Sequence, residues 1–168
     1  MGIPSYFSYI IKNHKGIFKK RALVGIIDNF YLDSNSIIYD SIKCVGPYTT
    51  DKEYEEKLII NVIKIINDLM LYMKPTGTVF ITFDGVAPLA KIKQQKTRRF
   101  KTHYTNKLLS ELTGDDVSVE WDKTAITPGT KFMERLSITI RDEYVNNDNV
   151  LVSCSDEIGE GEHKIFNY

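Results

Sequence analysis

Two cysteines in 168 residues, Cys44 and Cys154, stand far apart and outside any C-x-x-C. That leaves no disulfide framework and reads as a reduced, intracellular chain in which each thiol is a small core residue. No apolar run reaches membrane-spanning length, so no membrane association is expected. The N-terminus lacks the apolar core of a signal peptide. Met1-Gly2 fails as a myristoylation motif because position six is Tyr6 rather than Ser or Thr. Net charge is zero, which excludes a global basic field. Repeats, low-complexity tracts and linkers are absent, and residues 1–168 read as one domain, the front part of something larger or a minimal version of it.

The charge that is present is segregated. Residues 91–107 carry Lys91, Lys93, Lys96, Arg98, Arg99, Lys101 and Lys107 and no acid. The balancing acids cluster elsewhere, at 51–56 and 115–122. A local patch on a neutral protein fits one phosphate end better than a long duplex. Within it, Lys91, Gln95, Arg98 and Arg99 fall at i, i+4, i+7 and i+8, one face of a helix. A basic helix face is ordinarily a solvated surface. Here, however, Glu partners at i±4 are missing, and two guanidinium forks suit bidentate phosphate contacts.

An apolar content of 42% suits a globular chain that buries ~70% of its unfolded surface. Pro4 opens a first helix with Tyr6, Phe7, Ile10 and Ile11 on one face. Residues 26–32 read as a strand and 35–42 as a short helix. Residues 52–73 carry a broad apolar stripe that ends before Pro75 and Gly77, the clearest helix. Residues 78–83 read as a strand, 87–112 as the basic helix, and Val117 and Val119 as a brief strand. Thr127-Pro128 signals the start of a helix reaching about Tyr144. Residues 150–153 form a further strand, with a last helix from Gly161. Strands alternating with helices predict an α/β three-layer sandwich with a mainly parallel sheet.

Ligands of such sheets bind outside the carboxyl ends of the strands. Acids lie there three times. Asp33 follows the first strand, Asp84 the second, and Glu160 and Glu162 the third, within GEGEH. If the strands are neighbours, the four carboxylates converge, and their hard oxygens suit Mg²⁺ or Mn²⁺. Each acid has a plainer role open to it. Asp33 is placed to cap a helix, Asp84 precedes Gly in a turn, and the two Glu suit a helix N-terminus. Tyr39 lies near the same sheet edge, free to stack a base or to pack in the core. His163 reads as a surface or packing residue, and Trp121 as partly buried.

Five separated blocks carry a family resemblance: MGIPSYF at the start, DNFYLDSNSII at 28–38, FDGVAPLAKIKQQKTRRF at 83–100, ITPGTKFMERL at 126–136 and GEGEHKI at 159–165. The chain resembles the N-terminal part of the XRN-type 5′→3′ exoribonucleases. The resemblance implies a PIN/flap-nuclease-like core that releases mononucleotides from single-stranded RNA with a 5′ monophosphate. It implies that Asp33, Asp84, Glu160 and Glu162 are catalytic acids binding Mg²⁺ or Mn²⁺, and that Lys91, Gln95, Arg98 and Arg99 hold the 5′ phosphate. Tyr39 stands where the family usually has a base-stacking His. The family's later acidic cluster is not among these residues, so the alternative is a catalytically incomplete module that binds 5′-phosphorylated RNA or a partner. A flap-type DNA nuclease shares the carboxylate logic, but the QQKTRR helix and the ITPGT block argue against it. The expected compartment is intracellular, with the cytoplasm favoured over the nucleus.

Overall fold

The computed structural model describes residues 5–17, 19, 25–113 and 121–168. Pro4 and the Val117/Val119 strand lie outside the described residues. Three four-residue strands, β1 (Phe30–Asp33), β2 (Val79–Thr82) and β3 (Val150–Ser153), form a parallel sheet in the order β1-β2-β3. Asp33, Thr82 and Ser153 stand side by side at its carboxyl edge. Six α-helices accompany the strands among the described residues: α1 (Tyr6–Asn13), α2 (Asn35–Ile42), α3 (Asp51–Met73), α4 (Leu89–Thr113), α5 (Lys131–Tyr144) and α6 (Gly161–Asn167).

Strand pleating sends alternate side chains to opposite faces. Leu32, Val79, Ile81 and Val150, with Phe30 and Val152, enter the main core. That face is covered by α3 and α5, which also touch each other. From α3 come Tyr54, Leu58, Ile59, Val62 and Ile66. From α5 come Phe132, Met133, Leu136 and Ile140. Leu58, Val62 and Ile66 are completely buried, and each such side chain stabilises the fold by ~1.5–3 kcal/mol. The opposite face carries Tyr31, Phe80 and Leu151. Helix α6 packs there on β1 and β2, with the Tyr168 ring 4.9 Å from Phe80 and 6.1 Å from Tyr31. The helix–sheet–helix layering is therefore the expected α/β arrangement.

Several local boundaries differ from expectation. The first strand begins at Phe30, not Ile26. The carbonyls of Ile27 and Asp28 accept instead from Thr76 and Gly77 N–H, in the turn before β2. Helix α5 begins at Lys131. Gly129 adopts a φ of 88°, which breaks the helix that Pro128 would have opened. Thr130 is its cap, accepting from Met133 N–H. Cys44 is exposed rather than a core residue, whereas Cys154 is buried. Trp121 is buried, not half-exposed, packing on Tyr54 and Phe132 and donating its indole N–H to Glu55. Helix α1 buries none of its residues despite its apolar stripe. No described helix is long and apolar enough to cross a membrane.

Candidate active site

The loops leaving β2 and β3 are locked together at the carboxyl edge. Gly85 N–H donates to Gly159 C=O at 2.8 Å, and Gly159 N–H donates to Val86 C=O at 3.3 Å. Lys164, on α6, is buried, and its ammonium donates to Phe83 C=O at 2.8 Å and Cys154 C=O at 2.6 Å. Burial lowers the Lys164 pKa, although Glu157 and other acids nearby oppose this. The ammonium thus holds the ends of β2 and β3 against the helix that carries Glu162. Spacing gave no sign of this role, because a Lys two residues after an exposed Glu reads as a surface residue.

Asp84 is held from two sides. Asn35 Nδ2 donates to its Oδ2 at 2.6 Å, and Asp84 N–H returns a bond to Asn35 Oδ1 at 3.2 Å. Gly161 N–H donates to Oδ1 at 2.8 Å. Sequence reasoning missed Asn35, whose only signal was its place just after the Asp33 strand end. Gly161 lets α6 approach closely: a Cβ there would sit 2.5 Å from Asp33 Oδ1 and 3.0 Å from Thr82 Oγ1.

Asp33 ends β1, and its carboxyl pKa is raised. Partial burial contributes most, then the charge of Asp84, with Glu162 and Glu160 adding to it; Asn35 N–H pulls the other way. All four predicted acids therefore lie within electrostatic reach of one point. They do not form a closed cage: among the described residues, no three His, Cys, Asp or Glu side chains converge tightly enough to hold an ion. Glu160 is buried, and its Oε2 accepts from Lys91 Nζ at 2.7 Å. That bond raises the Lys91 pKa. Glu162 occupies the first turn of α6 and is exposed. The donor set nonetheless suits a divalent cation. Its oxygens are hard, and the repulsion felt by Asp33 is what a cation would relieve.

The sign of that repulsion gives a test. A carboxyl whose folded pKa lies above its unfolded value favours folding when protonated. The penalty for its charge is absent below the unfolded value near 3.8 and complete above the raised folded one. Asp33→Asn is therefore expected to raise the melting temperature modestly at pH 7 and to leave it unchanged near pH 3. Melts at the two pH values check this, and an equal shift at both would show that charge is not the cause.

A cleft of 910 Å³ opens beside the acids. Asp84, Glu160, Asn35 and Tyr39 line one part, and Lys91, Gln95, Arg98, Arg99 and Phe100 another. Lys91, Gln95 and Arg99 are half-buried, as one helix face turned toward the wall must be, while Arg98 is more exposed. Arg99 Nη2 donates to Thr127 Oγ1 at 2.6 Å, and Thr127 donates in turn to Thr124 C=O. Thr127 therefore orients a guanidinium instead of capping α5. Tyr39 is exposed on the cleft rim and not in the core.

Fold and cleft together define the class: a parallel α/β protein with strand-end carboxylates beside a cationic groove. The chain belongs to the family described as XRN 5'-3' exonuclease N-terminus, whose model matches residues 1–168. It is 33% identical to 5'-3' exoribonuclease 1 of Schizosaccharomyces pombe, with all of this chain aligned to 14% of that protein. It is also 33% identical to 5'-3' exoribonuclease 1 of Saccharomyces cerevisiae, again over its whole length and 12% of the relative. Identity to 5'-3' exoribonuclease 2 of Candida albicans is 32%, over all of this chain and 21% of that protein. The chain thus spans a small N-terminal-type fraction of the curated relatives it matches.

Proposed function

We propose that this chain is the N-terminal portion of a divalent-metal-dependent 5′→3′ exoribonuclease that releases mononucleotides from single-stranded RNA bearing a 5′ monophosphate. The observation that carries the reading is one cleft shared by Lys91, Gln95, Arg98 and Arg99 and by Asp84 and Glu160. The distance from Lys91 to Arg99 along α4 is ~12 Å, room for a terminal phosphate but not for a duplex. Lys91, Gln95, Arg98 and Arg99 would hold that phosphate, and Tyr39 on the rim would stack the first base. Polarity follows, because only a free end brings a phosphomonoester to this wall.

Asp33 and Asp84, with Glu160 and Glu162, would hold Mg²⁺ or Mn²⁺. The ion would supply a water of lowered pKa and positive charge beside the phosphodiester. Asn35 and Gly161 N–H fix the Asp84 carboxylate, and Lys164 fixes the strand ends beneath it. We further propose an intracellular setting, cytoplasmic in preference to nuclear.

A second reading is a catalytically incomplete module that captures 5′-phosphorylated RNA. It is favoured by the commitment of Glu160 to Lys91 and by the lack of a three-acid cage among the described residues. One experiment separates the two. The chain is incubated with matched RNAs carrying 5′ monophosphate, triphosphate or hydroxyl, with Mg²⁺, Mn²⁺ or EDTA. Metal-dependent release of mononucleotides from the monophosphate RNA alone is expected. End-selective binding without turnover would establish the second reading, and no end preference would defeat both.

A further inference from the structure

The ion pair of Lys91 and Glu160 joins the two parts of the cleft. Nζ lies 2.7 Å from Oε2; the Lys91 side chain is 24% exposed and that of Glu160 only 7%. Lys91 shares its helix face with Gln95 and Arg99, both on the cationic wall. Glu160 directly precedes Gly161, whose N–H binds Asp84. A single contact thus ties the first residue of the wall to a member of the acid set, and it commits both. An almost enclosed carboxylate such as Glu160 also needs a counter-charge at all times.

We propose that Lys91 is a specificity-determining residue that makes cation loading depend on a terminal phosphate. The inference rests on the function proposed above. Without a phosphate, Lys91 remains on Glu160, and the acid set offers a divalent ion one carboxylate fewer. A terminal phosphomonoester brings a charge of about −1.5 to −2 to the wall. Lys91 then turns toward it, along a path of about one helical turn, ~5.4 Å, that its flexible stem and three rotatable donors allow. Glu160 loses its ammonium and takes the divalent ion as replacement counter-charge. A 5′-hydroxyl carries no charge to draw Lys91 away. Specificity for the phosphorylated end therefore acts at cation loading as well as at end binding, and the two events favour each other reciprocally.

Mn²⁺ titrations followed by electron paramagnetic resonance test this on the full chain. They are run without RNA, with a 5′-phosphorylated 2′-O-methyl oligonucleotide that resists cleavage, and with its 5′-hydroxyl counterpart. For the parent chain, Mn²⁺ affinity is expected to rise on the order of tenfold with the phosphorylated oligonucleotide and to stay level with the other. Lys91→Met is expected to bind Mn²⁺ more tightly than the parent without RNA, and to lose the phosphate effect. Should that variant fail to fold, Glu160→Gln serves: its freed Lys91 is expected to bind the phosphorylated oligonucleotide more tightly than the parent does in EDTA. Equal Mn²⁺ affinity with both oligonucleotides, while the phosphorylated one still binds better, would overturn the exchange and leave the proposed function standing. A parent chain that binds neither Mn²⁺ nor the phosphorylated end preferentially would overturn both.

Discussion

Asp84→Ala is expected to remove metal-dependent cleavage while capture of 5′-phosphorylated RNA survives. Asp84 and the Gln95–Arg99 wall line the same cleft with separate side chains, so the two functions draw mainly on different residues. Its carboxylate accepts from Asn35 and from Gly161 N–H. Deleting it removes a negative charge from the cation set and leaves both donors without this acceptor. Turnover is expected to fall at least about a hundredfold, and Mn²⁺ affinity with it. The lost acceptor costs ~1–3 kcal/mol of stability, so the alanine alone would confuse charge with collapse. Asp84→Asn separates them: its amide oxygen can still accept from Gly161 N–H, but the charge is gone. Both variants should lose turnover, and only the alanine should melt markedly earlier. Parental activity in either variant would remove Asp84 from the proposed cation set.

Gly85→Ala is expected to destabilise the protein by ~3 kcal/mol or more. A Cβ at Gly85 would lie 1.6 Å from Glu157 O, 2.8 Å from its carbonyl carbon and 3.2 Å from Gly159 O. All three are backbone atoms, so no side-chain rotation relieves the clash. The loops after β2 and β3 would have to separate, breaking the bond between Gly85 N–H and Gly159 C=O. Separation would also carry Asp84 away from Gly161 and from Glu160, so cation binding should weaken along with stability. Urea unfolding measures the first effect and Mn²⁺ titration the second. Gly46→Ala is the control, because nothing lies within 4 Å of its added methyl. A Gly85→Ala midpoint equal to that of Gly46→Ala would mean the two loops are not packed in this way.

The site was legible where its chemistry follows from local periodicity. Lys91, Gln95 and Arg99 share a face because a helix turns about 100° per residue, and any chain with that spacing on a helix displays it. The strands at 79–82 and 150–153 were readable from apolar runs bounded by turn residues, and their parallel order from the intervening helices. The limits of local reading show at particular places. Residues 26–29 continue the apolar run of the first strand backwards through Ile26 and Ile27, yet the carbonyls of Ile27 and Asp28 satisfy the turn before β2. Thr127-Pro128 looks like a helix start, but Gly129 breaks the helix and Thr127 serves Arg99 instead. Lys164 is a buried cation directly after two exposed residues, Glu162 and His163.

By itself the sequence determined the α/β class, the positions of the acids at strand ends and the one-sided cationic helix. Each depends on covalent order and on the fixed periods of strand and helix. Only the tertiary structure decided how those groups pair. Asn35 meets Asp84 across 49 residues of chain, and Lys91 meets Glu160 across 69. Such partners are chosen by the strand register and by two glycines that let loop and helix close upon each other. The balance between a carboxylate free for a cation and one held by a lysine is a matter of ångströms, and those are set by packing.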